Sequence, residues 1–463
     1  MGWQGAVLNH DRKTIFALSS GRPPAAIAVI RISGPGARLG LLATCGRIPQ
    51  PRRATLGRLR DPLSQELIDE ALVLWFPGPN SETGEDMVEL HVHGGRAIVT
   101  QVFAVLGRLE GFRPAEAGEF TRRAFEHGRL DLTAIEGLAD LINAETDAQR
   151  RQAFRQFKGL LGNQAEAWRG RLVEALALME AGIDFSDEGD VPGDLALRAF
   201  EIIRPLASEI QQAGTAGQGE RLREGLRVAI AGAPNVGKST LLNRLARRDA
   251  AIVSPHAGTT RDVIEVHLDL KGFPVTLRDT AGLREVADPV EQEGIRRAWD
   301  AVTDADLVLW VVESAGIEAG LSLVQRQPAA SQHWMILNKA DLLAPAAGQD
   351  VLSKLAQQLA GRTLLTISAI NGAGIEGLVD ALAAFAERFF TAAPALVTRE
   401  RHRRALRETS RALEGALRLG PRGEQELVAE HIRLAARALE RLTGRIGVED
   451  ILDVIFRDFC IGK

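Results

Sequence analysis

The 463-residue chain is too long for a single hydrophobic core, so two to four domains are expected. Hydrophobic residues at 45% and charged residues at 25% give the balance of a soluble globular protein, with no apolar run long enough for a transmembrane helix. The net charge of −4 argues against a dominant non-specific grip on nucleic acid, and the two cysteines, Cys45 and Cys460, exclude a disulfide framework and suit a reducing cytosol.

Residues 1–12 are polar and irregular, lack a signal-peptide core, and read as an extension or a start codon assigned too early. An ordered pattern begins at Thr14-Ile-Phe-Ala-Leu18 and continues as α+β to about residue 128. Ala25–Ile32, Ala71–Phe76 and Met87–His93 read as strands, and helical spacing runs from Arg96 to Leu109. On the third strand Glu89, His91 and His93 alternate and share one face. They either ligate an ion such as zinc or line a polar strand face. From about Leu130 to Gln212 apolar residues recur at three and four, through Ile135, Leu138 and Ile142 and again through Leu172, Leu176 and Met179. An acidic loop at residues 184–190 interrupts this pattern, and Ala213–Gly225 reads as a linker. Residues 226 to about 390 alternate strand and helix, which implies a mostly parallel sheet. Its expected strands are Val228–Ala231, Val263–Leu270, Val275–Arg278, Leu307–Val312, Trp334–Leu337 and Leu364–Ile367. The last segment turns helical again. Its Arg399, Arg401, Arg403, Arg404, Arg407 and Arg411 form either a solvated basic face or an RNA surface.

The chemistry concentrates in Gly232-Ala-Pro-Asn-Val-Gly-Lys-Ser-Thr240, which fits G-x-x-x-x-G-K-[ST] between an apolar strand and a helix start. Loop amides from Asn235, Val236 and Gly237 to Thr240 would close around phosphates at the positive end of the helix. Lys238 would reach the outer phosphates, and Ser239 would hold Mg2+. Gly258-Thr-Thr-Arg-Asp262 offers Thr260 to the same ion. In Asp279-Thr280-Ala281-Gly282, Asp279 would act on Mg2+ through water and the Gly282 amide would meet the γ-phosphate. In Asn338-Lys339-Ala-Asp341, Asp341 can accept from the two guanine donors N1 and N2, which adenine does not present together. Asn338 would orient that loop, and Ser368-Ala369 would supply an amide to the guanine oxygen. Five motifs in this order point to GTP. Leu283 stands where many small GTPases carry a water-orienting Gln, so hydrolysis needs another group for that task. Asn235 either braces the loop or ligates a monovalent cation beside the phosphates.

With these motifs the chain from Thr14 to Lys463 resembles the tRNA-modification GTPase family MnmE (TrmE). The stretches TIFALSSGRPPAAIAVIRISG, TGEDMVELHVHGG and GEFTRRAFEHGRLDL carry the resemblance, with the ending Phe459-Cys-Ile-Gly-Lys463. The resemblance implies a multidomain α/β plus α+β plus α protein, with a P-loop GTPase domain inserted in a helical domain. The expected organisation is an extension at 1–13, a folate-binding, aminomethyltransferase-like dimerisation domain at 14–128, helical parts at 129–222 and 391–463, and the GTPase at 223–390. It implies GTP, Mg2+, K+ and a tetrahydrofolate one-carbon derivative (5-formyl- or 5,10-methylene-) as cofactors. It implies a cytoplasmic homodimer acting with the flavoprotein MnmG (GidA) on tRNA. Together they would add a carboxymethylaminomethyl or aminomethyl group to carbon 5 of the wobble uridine. By resemblance, Asn235, Ser254, His256 and Thr259 hold potassium and Glu291 positions the attacking water. Arg31, Glu89, Arg129 and Lys463 bind the folate, and Cys460 stands near the one-carbon chemistry. A switch GTPase of regulation or ribosome assembly, and a one-carbon transferase with a regulatory GTPase, are the alternatives.

Overall fold

The computed structural model describes residues 13–184, 194–215, 218–247, 251–252, 265–279, 302–313, 317, 332–342, 359, 363–390, 395–447, 452, 455–456, 459 and 462. The chain divides into two compact units. One holds Met1–Ala139, Gln156–Ser208 and Glu408–Lys463; the other holds Asp140–Arg155 and Glu209–Arg407. Among the described residues, no helix is long and apolar enough to cross a membrane.

The first unit begins with β1 (Thr14–Leu18), β2 (Ile27–Ser33), α1 (Ala37–Cys45), β3 (Thr55–Arg60), β4 (Leu67–Phe76), β5 (Met87–His93), α2 (Arg96–Gly107), β6 (Phe112–Pro114) and α3 (Glu119–Glu126). The strands form one sheet in the order β3-β4-β5-β2-β1-β6. Alternate residues of β2 and β5, among them Ile30, Ile32, Val88 and Leu90, point into a core shared with Val102 and Leu106 of α2. The opposite face therefore carries Arg31 and Glu89, which are register partners across β2 and β5. The expected strands are present, with β5 at its expected bounds. Three further strands were not expected as such: β1, which reads in the sequence only as the start of an ordered pattern, β3 and β6. β3 lies at the sheet edge and reads Thr-Leu-Gly-Arg-Leu-Arg, so charge and a glycine mask its alternation.

Helices α4 (Leu132–Ile142), α5 (Asp147–Phe157), α6 (Leu160–Asp184), α7 (Leu195–Thr215) and α8 (Gln218–Glu224) follow. The expected linker at residues 213–225 is thus largely helical. Glu and Arg are good helix formers, and α8 is fixed by ion pairs from Glu220 to Arg403, from Arg221 to Asp306 at 3.3 Å and from Arg223 to Asp140 at 3.0 Å. The acidic loop lies mostly outside the described residues.

The second unit contains β7 (Leu226–Ala231), α9 (Lys238–Ala246), β8 (Ala251–Ile252), β9 (Glu265–Leu270), β10 (Phe273–Asp279), β11 (Leu307–Val312), β12 (Gln332–Leu337), β13 (Leu364–Thr366) and α10 (Ile375–Phe390). Its described strands are ordered β13-β12-β11-β7-β10-β9-β8. The pairs from β13 to β10 are parallel, and β9 is antiparallel to β10. β7, buried along most of its length, sits between β11 and β10. The chain leaves β7 at its carboxyl end, beside the crevice where open α/β sheets bind ligands.

α11 (Glu400–Leu419) and α12 (Gln425–Thr443) follow. In the first unit α12 packs along α6, with Arg433 paired to Glu180 at 2.9 Å. Of the arginines considered for RNA, Arg399 pairs with Asp140 at 2.6 Å and Arg403 with Glu220 and Glu400. These two hold the second unit together and do not form an open basic face.

Candidate functional site

The phosphate-type loop spans the gap from β7 to α9. Gly237 has φ +97°, and a Cβ there would stand 2.4 Å from Asn338 Nδ2, so glycine is required on both counts. Asn235 also has positive φ, 63°, a conformation that Asn tolerates better than most residues. Lys238 is buried, and its ammonium donates to the Gly232 carbonyl at 3.0 Å and the Ala233 carbonyl at 2.9 Å. The cation is thereby held across the loop. Ser239 and Thr240 lie exposed in the first turn of α9, where the helix presents its positive end.

Asn338, 2% exposed, joins this loop to the turn after β13. Its Nδ2 donates to the Val236 carbonyl at 2.8 Å, and its Oδ1 accepts from the Ala369 amide at 2.9 Å. The Ala369 amide, expected to face the guanine oxygen, is therefore engaged by Asn338. Lys339 has φ +60° and pairs with Glu313 at 2.5 Å. Asp341 lies exposed in the 3-10 turn Ala340–Leu342, where an incoming base can meet its carboxylate. The turn is set by the Ala340 amide, which donates to the Ile367 carbonyl at 3.1 Å. Ser368 and Asn371 shape the second loop, the Asn371 amide donating to Ser368 Oγ at 3.3 Å.

On the polar face of the first unit's sheet, Arg31 Nε donates to Glu89 at 2.9 Å and its Nη1 pairs with Glu82 at 2.9 Å. His91 meets Glu89 at 3.3 Å, whereas His93 turns to Asp69 at 2.8 Å. The possible zinc triad is thus divided between separate partners. Among the described residues, no group of three or more His, Cys, Asp or Glu side chains is placed to hold a metal ion. The turn carrying Glu82 is tied down by a buried network. Ser33 Oγ bonds Thr83 at 2.7 Å and Glu85 at 2.9 Å, and Arg123 bonds Glu85 at 2.8 Å and Glu119 at 3.0 Å. Burial alone would raise the Glu119 pKa, but hydrogen bonds from Arg113 and the Glu116 amide, with the charges of Arg123 and Arg113, bring it below the ordinary value. Arg129 is exposed just beyond α3, its Cγ 3.6 Å from where a Cβ on Gly84 would lie, so it borders the same turn. The chain end also reaches this sheet: Ser19 Oγ donates to the Gly462 carbonyl at 2.7 Å.

Two family models match the chain: "MnmE helical domain" over residues 132–460 and "GTP-binding protein TrmE N-terminus" over residues 14–129. The chain is 56% identical to a tRNA modification GTPase MnmE of Bradyrhizobium sp. (strain ORS 278) over 456 residues, 98% of this chain and 99% of that protein. This chain belongs to the MnmE family of tRNA modification GTPases. An MnmE of Rhodopseudomonas palustris (strain BisB18) is 53% identical, covering 98% of this chain and all of its own length. Among solved structures, an Era variant of Aquifex aeolicus bound to GDP.AlF4- aligns with 34% of this chain and 56% of its own, at 27% identity and a TM-score of 0.30.

In this MnmE-family chain the structure gathers Asn235, Val236, Gly237, Lys238, Asn338 and Ala369 around one loop, and Arg31, Glu89 and Arg129 around another turn. Ser254, His256, Thr259, Thr260, Thr280, Ala281, Gly282, Leu283, Glu291, Cys460 and Lys463 lie outside the described residues, as does the side chain of Asp279. Sequence reasoning missed Glu82, Glu313 and Ser19. Glu82 lies one residue before the quoted TGEDMVELHVHGG stretch and could have been suspected as a partner for Arg31. Nothing local marks Ser19, whose partner is 443 residues away.

Proposed function

We propose that this MnmE-family protein couples GTP hydrolysis to tRNA modification, adding a carboxymethylaminomethyl or aminomethyl group to carbon 5 of the wobble uridine with a flavoprotein partner, MnmG. The observation that carries the nucleotide half is the Asn338 bridge, which ties the phosphate loop at Val236 to the guanine loop at Ala369. Kinship over nearly the whole chain supports the tRNA half.

Lys238 lies where its ammonium can exchange loop carbonyls for phosphate oxygens. Ser239 and Thr260, with Asp279 through water, would hold Mg2+, which neutralises phosphate charge when bound. Asp341 would select guanine. Because Leu283 cannot orient water, Glu291 takes that task. Asn235, whose exposed side chain borders the loop, would hold K+ with Ser254, His256 and Thr259.

Arg31, Glu89, Arg129 and Lys463 would bind a tetrahydrofolate one-carbon derivative. Arg31 already holds Glu82 and Glu89, so it is a cation suited to an acidic ligand. Cys460 would stand near the one-carbon group, and the protein would act as a homodimer.

Nucleoside mass spectrometry of tRNA from a deletion strain tests the whole reading. The C5-modified wobble uridines should vanish and return with the wild-type chain. Unchanged modification would refute the proposal. GTP turnover should be faster in potassium than in sodium, and equal rates would remove the cation role of Asn235.

A further inference from the structure

We infer that Arg244 is a positioning residue for guanine recognition, acting from α9 through the turn after β13. This rests on the guanine-nucleotide reading above and adds a residue that none of its motifs contains. Arg244 Nε donates to the Ala369 carbonyl at 2.6 Å, and its Nη2 donates to the Ile370 carbonyl. A planar guanidinium can hold two neighbouring carbonyls at once, which an ammonium cannot do with fixed geometry. The turn closes around it. Gly372 has φ +92°, and a Cβ at that position would lie 2.7 Å from Arg244 Nη1.

Ala369, 3% exposed, is therefore clamped from both sides. Its amide donates to Asn338 Oδ1 at 2.9 Å, and its carbonyl accepts from Arg244 at 2.6 Å. Arg244, Ala369, Asn338 and Val236 form a continuous chain of hydrogen bonds from α9 through the guanine loop back to the phosphate loop. Within the same turn Gly372 donates to the Ser368 carbonyl at 2.8 Å and Ala373 to Asn371 Oδ1 at 2.9 Å. Those bonds shape the turn but leave the Ala369 and Ile370 carbonyls to Arg244. The helix and the turn flank a cavity of about 790 Å3, lined by Thr240, Arg247 and Ile375 among others, and the guanidinium fork spans from one wall to the other. Arg244 thus sets where the guanine loop stands relative to the phosphate loop, without needing to touch the nucleotide.

The test compares GDP, ADP and 6-thio-GDP binding to the full-length wild type, Arg244→Ala and Arg244→Lys, with GTP turnover at saturation. The sulfur analogue weakens the hydrogen bond that the base's 6-position would take from the Ala369 amide in exchange for Asn338 Oδ1, and so forms a cycle with Arg244. Arg244→Ala should bind GDP roughly tenfold more weakly, the scale of a lost charge-assisted bond. Its preference for GDP over 6-thio-GDP should shrink, while turnover at saturating GTP stays within about twofold of wild type. Arg244→Lys, which can engage one carbonyl at a time, should recover part of the affinity and keeps the test valid if the alanine variant folds poorly. If wild type preferred neither GDP nor ADP, the nucleotide reading itself would fail. If wild type prefers GDP and Arg244→Ala matches it in affinity and in the 6-thio ratio, only this inference is overturned. An equal loss for GDP and 6-thio-GDP would also overturn it, since that pattern marks a general structural role.

Discussion

Replacing Asn338 by Ala should break the connection between the phosphate loop and the guanine loop. The side chain makes two buried bonds, to the Val236 carbonyl at 2.8 Å and from the Ala369 amide at 2.9 Å. Alanine would leave both backbone groups without that partner where Val236 is 4% and Ala369 3% exposed. An orphaned buried group costs about 1–3 kcal/mol, so the pair sums to roughly 2–6 kcal/mol if the loops do not relax. Even the lower figure corresponds to about a thirtyfold change in a local opening equilibrium. Amide hydrogen exchange of the ligand-free protein reads this directly, because the Ala369 amide should be protected in wild type and open in Asn338→Ala. Asn338→Asp separates the two halves of the bridge. Aspartate can still accept from Ala369, but it sets an acceptor against the Val236 carbonyl, so the phosphate-loop side should fail. Exchange at Ala369 within about threefold of wild type in Asn338→Ala, with unchanged GDP affinity, would refute the bridge.

Other expectations follow from single contacts. Gly237→Ala should weaken GDP binding by at least about tenfold, read by nucleotide titration, because positive φ and the approach to Asn338 both exclude a Cβ. Wild-type affinity would contradict that geometry. Ser19→Ala should loosen the C-terminal tail by about 0.5–1.5 kcal/mol, the net worth of one hydrogen bond. Faster carboxypeptidase trimming would report it, and an unchanged rate would show that the bond to Gly462 does not anchor the tail. Glu119 has its folded-state pKa below the unfolded value of 4.5, so its contribution is present above that value and is lost as pH falls through the lowered one. Glu119→Gln should lower stability near neutral pH by up to about 3 kcal/mol and flatten the acid limb of the Tm–pH curve. A variant with the wild-type acid limb would show that the Arg113 and Arg123 pairing does not set it.

Features that express a local backbone need were legible in the sequence. The glycine at 237 and the strand from Met87 to His93 could be read because positive φ and two-residue alternation leave a pattern within a few positions. Asn338 was legible as a motif residue, although its bond to Val236, 102 positions away, was not. The rest depended on approach between distant segments. Arg399 and Arg403 read as possible RNA contacts because Asp140 and Glu220 gave no sign that they would meet them. α8 read as a linker for the same reason, since its ion-pair partners come from three other segments. Edge strand β3 shows a further limit: charges that protect a sheet edge also erase the alternation by which a strand is recognised.

Lys238, Asn338 and Arg31 have protein partners already, so for them binding is an exchange of hydrogen bonds and not a capture by loose side chains. Lys238 would trade two carbonyls for phosphate oxygens, a neutral pair for a charged one, which favours the ligand. Arg31 presents an asymmetric choice. Its Glu89 partner has a side chain 14% exposed and is also approached by His91, whereas its Glu82 partner is 45% exposed. A surface ion pair of the second kind is worth only about 0–1 kcal/mol. An acidic ligand would therefore displace Glu82 and leave the Arg31–Glu89 pair in place. The buried network behind the turn, through Thr83, Glu85 and Arg123, would keep the backbone fixed during that exchange. Glu89 would then orient Arg31 while itself bordering the ligand, and Glu82 would be the replaceable counter-ion.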